Sequence, residues 1–141
     1  MSSTVDRWKQ RNRERVDVYF KTEDSGMLSI DLNLVGTIDK VLVATQNAEL
    51  PSGWTAVSAA GAFNVLLIEP ETVGNAATTD ILVGYCSDTN ATSTEVSYPR
   101  MAAGASDAVG LPVHGRYLIT ISDGATAGTE VVGVVRFYLD Q

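Results

Sequence analysis

The stretch "MLSIDLNLV" (residues 27–35) decides the fold class, because its apolar and polar residues alternate strictly. Four aliphatic side chains fall on one side of an extended chain: Leu28, Ile30, Leu32 and Leu34. The polar residues between them fall on the other side. This period of two is typical of a strand with one buried and one solvated face. Because a slip of one residue would expose all four aliphatic side chains, we predict that they line the core.

Other segments of strand length follow along the chain. The stronger ones are residues 16–20, 40–45, 63–69, 80–87, 115–122 and 130–140, and the weaker ones are residues 54–57 and 94–98. No segment after position 20 has the spacing of an amphipathic helix. Strands without crossover helices must pair antiparallel, so we predict an all-β protein, an antiparallel β-sandwich that is jelly-roll-like with eight or nine strands.

The connections between these segments vary in length. Residues 46–53, 70–79 and 99–114 exceed hairpin length, which predicts crossings between two sheets. Residues 122–129 are short enough to join the last two strands as a hairpin.

The stretch "DRWKQRNRER" (residues 6–15) holds five of the ten basic residues: Arg7, Lys9, Arg11, Arg13 and Arg15. Residues 1–21 have a net charge of +3, and residues 22–141 have a net charge of −10. An acidic body repels polyanions, so any contact with nucleic acid must run through the basic segment. We therefore predict a basic N-terminal arm over residues 1–15 and a β-sandwich domain over residues 16–141.

The form and the role of this arm stay open. An extended arm would project all five basic side chains from one face, and a helical arm would align Arg7, Arg11 and Arg15 in one row. Few apolar groups are available to fix either form, which predicts a mobile arm. It either docks on an acidic surface, of nucleic acid or of another copy, or acts only as a solubilising tail.

No set of residues has the pattern of a catalytic or metal site. His114 and Cys86 lack the neighbours that a catalytic base or a reactive thiolate needs. Asp88, Asn90 and Glu95 lie in an oxygen-rich loop, and whether they bind calcium stays open. Trp54 follows a turn and is a possible ligand-stacking residue. We predict no enzyme and no cofactor, and we assign no residue as a metal ligand.

Two further features bear on compartment. The single cysteine excludes an internal disulfide, and the polar, basic N-terminus lacks the apolar region of a secretory signal. No apolar run reaches the roughly 18 residues needed to span a bilayer. We expect a chain made in the cytoplasm that does not contact membranes.

A basic arm followed by an eight-stranded all-β domain resembles the coat and surface proteins of small icosahedral viruses and phages, including jelly-roll coat, protruding-domain and capsid decoration proteins. The C-terminal stretch "HGRYLITISDGATAGTEVVGVVRFYLDQ" (residues 114–141) is similar to the last two strands of such domains. The resemblance covers the architecture of most of the chain and a loose pattern over its last 28 residues. The arm is short and weakly basic for lining packaged nucleic acid, which favours an outer role.

The resemblance implies a virion structural protein, made in the host cytoplasm, that stabilises or decorates a shell as a capsid, protruding or decoration (cement) subunit. Its expected partners are other copies of itself, as a probable trimer, and neighbouring capsid subunits. The alternative is a β-sandwich carbohydrate-binding module in which Trp54 stacks on a sugar. An oligomer is expected for the first function and a monomer for the second.

Overall fold

The structure is a computed structural model of the chain. It describes residues 2–22, 27–45, 49–55, 63–69, 71–72, 75–76, 81–82, 95–99, 110–122 and 131–141. These residues form strands and connections without a helix, so the all-β prediction is confirmed. Within this part of the chain there is no helix long and apolar enough to cross a membrane.

The strands are β1 (Ser2–Gln10), β2 (Arg13–Lys21), β3 (Met27–Ala44), β4 (Asn64–Ile68), β5 (Glu71–Thr72), β6 (Asn75–Ala76), β7 (Glu95–Ser97), β8 (Leu111–Ser122) and β9 (Val132–Asp140). Seven of them form one antiparallel sheet in the order β1-β2-β9-β3-β8-β4, with β7 also paired to β3. The short strands β5 and β6 pair only with each other. Residues 70–79, expected as a connection, therefore contain a small hairpin.

Strand β3 is the longest and links two parts of the sheet. Its first part, Met27–Ile38, pairs with β8, and its last part pairs with β9 and β7. The change of partner coincides with Gly36, which has a φ of 127°, and with a register shift between Ile38 and Lys40. A Cβ atom at Gly36 would lie 2.5 Å from the carbonyl oxygen of Asp140, so only glycine fits this bend. Residues 27–35 and 40–45, expected as separate strands, are thus one strand.

The sheet curls over its own core. Four strand spacings separate β2 from β4 in the sheet order, which is about 19 Å in a flat sheet. Yet the ring centroids of Phe20 in β2 and Phe63, which precedes β4, lie 6.0 Å apart. The two ends of the sheet therefore meet around one cluster of buried side chains, which we call the main core.

The predicted face of β3 is confirmed. Leu28 and Ile30 are each 7% exposed, Leu32 is 3% exposed and Leu34 is fully buried, whereas the polar residues between them are exposed. The alternation in β8 is confirmed too, since Tyr117, Ile119 and Ile121 are buried.

The predicted hairpin over residues 122–129 is wrong. Strand β3 lies between β8 and β9, so these two strands do not pair. Local spacing favoured the hairpin, but the 18-residue strand β3 pairs through one backbone edge with β8 and through the other with β9. Of the weaker segments, residues 94–98 contain β7, and Trp54 and Thr55 are not in a strand. Residues 80–87 lie outside the described residues except for Ile81 and Leu82.

Candidate functional site

The basic segment forms a hairpin at the end of the sheet. Strands β1 and β2 are joined by the two residues Arg11 and Asn12, and every residue of β1 pairs with one of β2. Arg11 has a φ of 55°, and the backbone N–H of Gln141 donates to the carbonyl of Asn12 at 2.7 Å. Residues 2–10 of the predicted arm thus form strand β1, and the predicted boundary at residue 15 falls inside β2.

The hairpin divides the five basic residues between two faces. In the register Arg7 lies opposite Val16, and Arg15 lies opposite Trp8. Arg7 and Lys9 therefore share the side of the main core, whereas Arg13 and Arg15 share the opposite side, which we call the outer face. Arg11 lies at the turn. The expectation that an extended segment projects all five from one face fails because the chain reverses after Gln10.

Three of these residues form salt bridges within the protein, and that of Arg15 is to Asp17 at 3.4 Å. Arg7 donates to the carbonyl of Asn33 and forms a salt bridge of 3.5 Å with Glu14. Arg13 lies 3.5 Å from Asp140, and both side chains are largely exposed. Such exposed pairs contribute between 0 and ~1 kcal/mol each. Within the described part of the chain, Lys9 and Arg11 form no salt bridge.

A buried ion pair connects β2 to β9 on the outer face. Arg136 donates from Nε and Nη2 to the two carboxylate oxygens of Asp17, at 2.8 and 3.0 Å, and Asp17 is fully buried. The hydroxyl of Tyr19 also donates to Asp17, at 3.4 Å. These hydrogen bonds to Asp17 raise the pKa of Arg136 above its usual range. Burial, followed by the charge of Asp17, raises the pKa of Tyr19.

Sequence reasoning missed this pair. The sequence does contain a signal for this pair. An aspartate, Asp17, lies in the apolar stretch "VDVYF", and an arginine, Arg136, lies in the apolar stretch "VVGVVRFYLD". A charge in such a strand needs a partner, and two opposite charges in separate strands satisfy each other when the strands are neighbours.

Next to this pair, aromatic and cationic side chains alternate across four strands. We call Trp8, Arg15, Tyr138 and Lys40 the basic–aromatic row; each faces the next in the register. The guanidinium carbon of Arg15 lies 4.1 Å from the Trp8 ring centroid, and Nζ of Lys40 lies 4.4 Å from that of Tyr138. Both are cation–π distances. The row borders an open groove of about 940 Å³.

Trp54 lies elsewhere on the outer face. Its backbone N–H donates to Pro51 at 3.1 Å, closing a turn in which Gly53 has a φ of 88°. The half-buried indole belongs to a second apolar cluster with Tyr19 and Val134. Trp54 thus covers part of the sheet and is not a lining residue of the groove.

The other candidate residues are only partly described. His114 is exposed in β8, and its backbone N–H donates to the Tyr117 hydroxyl at 2.9 Å. Cys86, Asp88 and Asn90 lie outside the described residues, and Glu95 is the first residue of β7. Among the residues that the structure describes, no three histidine, cysteine or acidic side chains cluster as metal ligands do.

Comparison with protein-family models, with curated proteins and with solved structures gave no significant match.

Proposed function

We propose that this protein is a virion structural subunit, of capsid, protruding or decoration type, that self-associates and stabilises or decorates a shell. The proposed fold in finer detail is a jelly-roll-like β-sandwich. In support, the sheet is antiparallel, β3 bends between two sets of partners, and Phe20 meets Phe63 across the main core. These features suit a subunit whose function depends on its surfaces.

The observation that carries the proposal is the contrast between the hairpin and the rest of the chain. All six basic residues of the segment 1–21 lie in a hairpin at the end of the sheet, whereas residues 22–141 carry a net charge of −10. Lys9 and Arg11 are exposed there and form no salt bridge among the described residues. A basic hairpin of one copy can therefore dock on an acidic surface of the next.

A contact of this kind joins two different surfaces. Heterologous contacts close into rings when the rotation between copies permits it, and a trimer is the smallest such ring. Each exposed ion pair contributes at most about 1 kcal/mol, and salt screens it over a length of about 8 Å. Only a set of pairs, repeated by symmetry, gives a stable assembly, so we expect an association that weakens with salt.

The test is the mass of the assembly, measured by size-exclusion chromatography with light scattering across a salt series. We expect the wild type to be oligomeric at low salt, and the double variant Lys9→Glu/Arg11→Glu to dissociate. As a matched pair of single variants, Lys9→Glu should lower the mass, whereas Lys21→Glu, which makes the same charge change at the end of β2 far from the turn, should keep the wild-type mass. Negative-stain electron microscopy then asks whether the oligomers form closed particles. A wild type that stays monomeric at every concentration and salt would contradict the proposal.

A second function, carbohydrate binding, is favoured by one observation. Trp8 is 46% exposed beside the groove of about 940 Å³, and Tyr138 and Gln10 also line it. An exposed aromatic ring beside hydrogen-bonding groups suits a sugar. Glycan binding measured by isothermal titration calorimetry should then be lost in Trp8→Ala and kept in Trp54→Ala, because Trp54 packs in the second cluster. Binding by a monomer would favour this function over the first.

A further inference from the structure

The free edge of β1, the side that faces away from β2, presents a defined set of backbone groups. The N–H of Thr22 donates to the carbonyl of Val131 at 2.9 Å, and the N–H of Gln141 donates to that of Asn12 at 2.7 Å. Asn12 and Thr22, the even-numbered residues that flank β2, thus bond towards the strand β9 side. Bonding direction alternates along a strand, so the odd-numbered residues of β2 bond to β1.

The pairing of β1 with β2 then shows which residues of β1 bond to β2 and which point their backbone groups outward. Arg13 and Arg15 pair with Gln10 and Trp8, so the even-numbered residues of β1 bond to β2. The outward N–H and C=O groups belong to the odd-numbered residues Ser3, Val5, Arg7 and Lys9. The two-residue turn agrees, since the pair that closes such a turn is hydrogen-bonded.

This edge is exposed along its length. No strand pairs with it among the described residues, and the side chains from Ser3 to Gln10 are exposed except for the half-buried Val5. A row of outward backbone groups is a template for another strand. Proteins often protect such edges with lysine or with short strands, but β1 has nine residues and its one lysine, Lys9, lies next to the last residue of the strand.

We propose that the free edge pairs with the same edge of a second copy, antiparallel and about a two-fold axis at Val5. The proposal rests on the proposed self-association and adds a contact between identical surfaces. Two copies of this edge can exchange hydrogen bonds only where odd-numbered residues of one copy lie opposite odd-numbered residues of the other. The allowed registers are therefore shifted from one another by steps of two residues. A register centred on Asp6 sets Asp6 against the partner's Asp6, and one centred on Arg7 sets Arg7 against the partner's Arg7; like charges directly opposite are destabilising.

The register centred on Val5 is the longest that avoids both conflicts. It pairs residues 2–8 of each copy and places Asp6 opposite the partner's Thr4 and Arg7 opposite the partner's Ser3. Val5, which packs against the main core, then meets the partner's Val5 and extends the apolar layer across the axis. Trp8, whose ring lies against Arg15, faces the small Ser2 of the partner copy.

The two contacts respond oppositely to salt. Docking of a basic hairpin on an acidic surface weakens as salt rises. Edge pairing brings together two hairpins of the same positive sign, so screening reduces their repulsion and the pairing strengthens. A salt series with the right variants therefore separates them.

Disulfide trapping tests the register. In a Cys86→Ser background, Val5→Cys places two thiols in a directly opposed, hydrogen-bonded pair, where Cα atoms lie about 5.5 Å apart, within the range of a disulfide. Arg7→Cys is the matched control, because four residues along the strand separate Arg7 from the partner's Arg7, about 13 Å. We expect a cross-linked dimer from Val5→Cys only. Equal cross-linking of both variants, or none, would overturn the register.

Proline substitution tests the hydrogen bonds. Ser3→Pro removes an outward N–H in each copy, and proline is tolerated where the N–H faces away from the ladder. We expect a wild-type melting temperature and loss of the two-fold contact at high salt. Thr4→Pro, the control, removes an N–H that bonds to β2 and should lower the melting temperature. A wild-type oligomer that Ser3→Pro leaves intact, with Val5→Cys not cross-linked, would refute edge pairing while the proposed function stands. A monomeric wild type would refute both.

Discussion

The two strands of the N-terminal hairpin have nine residues each and lie side by side, but their environments differ completely. In β1 only Val5 is partly buried among the residues from Ser3 to Gln10. In β2 the five consecutive residues from Val16 to Phe20 are all buried. Strand β2 has a neighbour on each side, the main core on one face, and the ion pair and second cluster on the other.

This difference indicates that the two strands of the hairpin have different roles. Strand β2 contributes Val16, Val18 and Phe20 to the main core, so changes there should alter the free energy of unfolding. Strand β1 contributes backbone pairing and exposed charge, so changes there should alter association. Paired substitutions at directly opposite positions test this division most sharply, because the local backbone is the same for both.

The largest difference is expected at the pair Phe20 and Ser3, which lie opposite each other. Phe20 is fully buried, and its ring centroid lies 6.0 Å from that of Phe63. Phe20→Ala should lower the free energy of unfolding by about 3–5 kcal/mol, because it leaves a cavity where the two ends of the sheet meet. Ser3→Ala should change it by less than about 0.5 kcal/mol. Urea denaturation measures both, and similar losses would contradict the division.

The second comparison uses two aspartates that lie directly opposite each other, Asp17 and Asp6. Asp17→Ala leaves Arg136 without its partner and should cost about 3 kcal/mol, at the low end for a broken buried pair. The low end is expected because the Arg136 side chain is 25% exposed and can reach water. Asp6→Ala should be neutral or slightly stabilising, since it removes a like charge opposite Asp17. A larger loss for Asp6→Ala than for Asp17→Ala would refute this account.

The sequence predicts the local features of the fold but not the order of the strands. The period of two is a local property, so it correctly assigned the buried face of β3 and the alternation in β8. Strand order depends on pairings between distant segments, so nothing local showed that β3 separates β8 from β9. The bend at Gly36, which joins residues 27–35 and 40–45 in one strand, depends on the close approach of Asp140.

The candidate site was predicted in charge but not in form. The five basic residues were visible as a cluster, yet β1 has too few apolar residues to indicate a strand. It pairs because β2 offers backbone groups along its length, and backbone pairing needs no apolar side chain. The faces of Arg7 and Arg15 then followed from a two-residue turn, which nothing in "QRNR" specifies strongly.

A third prediction concerns how stability depends on pH through Tyr19, which lies in the buried strand β2. The pKa of Tyr19 is raised above 10.0 in the folded protein by burial and by Asp17. The neutral tyrosine is therefore favoured on folding, and its contribution is present below pH 10 and lost as pH rises through the raised pKa. The melting temperature of Tyr19→Phe should rise relative to that of the wild type above pH 10, but not between pH 7 and 9. A difference between the two melting temperatures that stays constant from pH 7 to above pH 10 would contradict this account.

The smallest effect is expected at the turn that joins the two strands. Arg11 has a φ of 55°, in the left-handed region, where a residue with a Cβ atom is disfavoured by about 1–2 kcal/mol. Asparagine adopts this region more readily, so Arg11→Asn should raise the free energy of unfolding by a few tenths of a kcal/mol. Arg11→Val should lower it by about 1 kcal/mol, because a β-branched residue fits this conformation worst. Both variants remove the same charge, so a difference between them in urea denaturation reports the backbone alone. Equal stability would mean that the turn relaxes without cost, and the register of β1 against β2 would then not depend on Arg11.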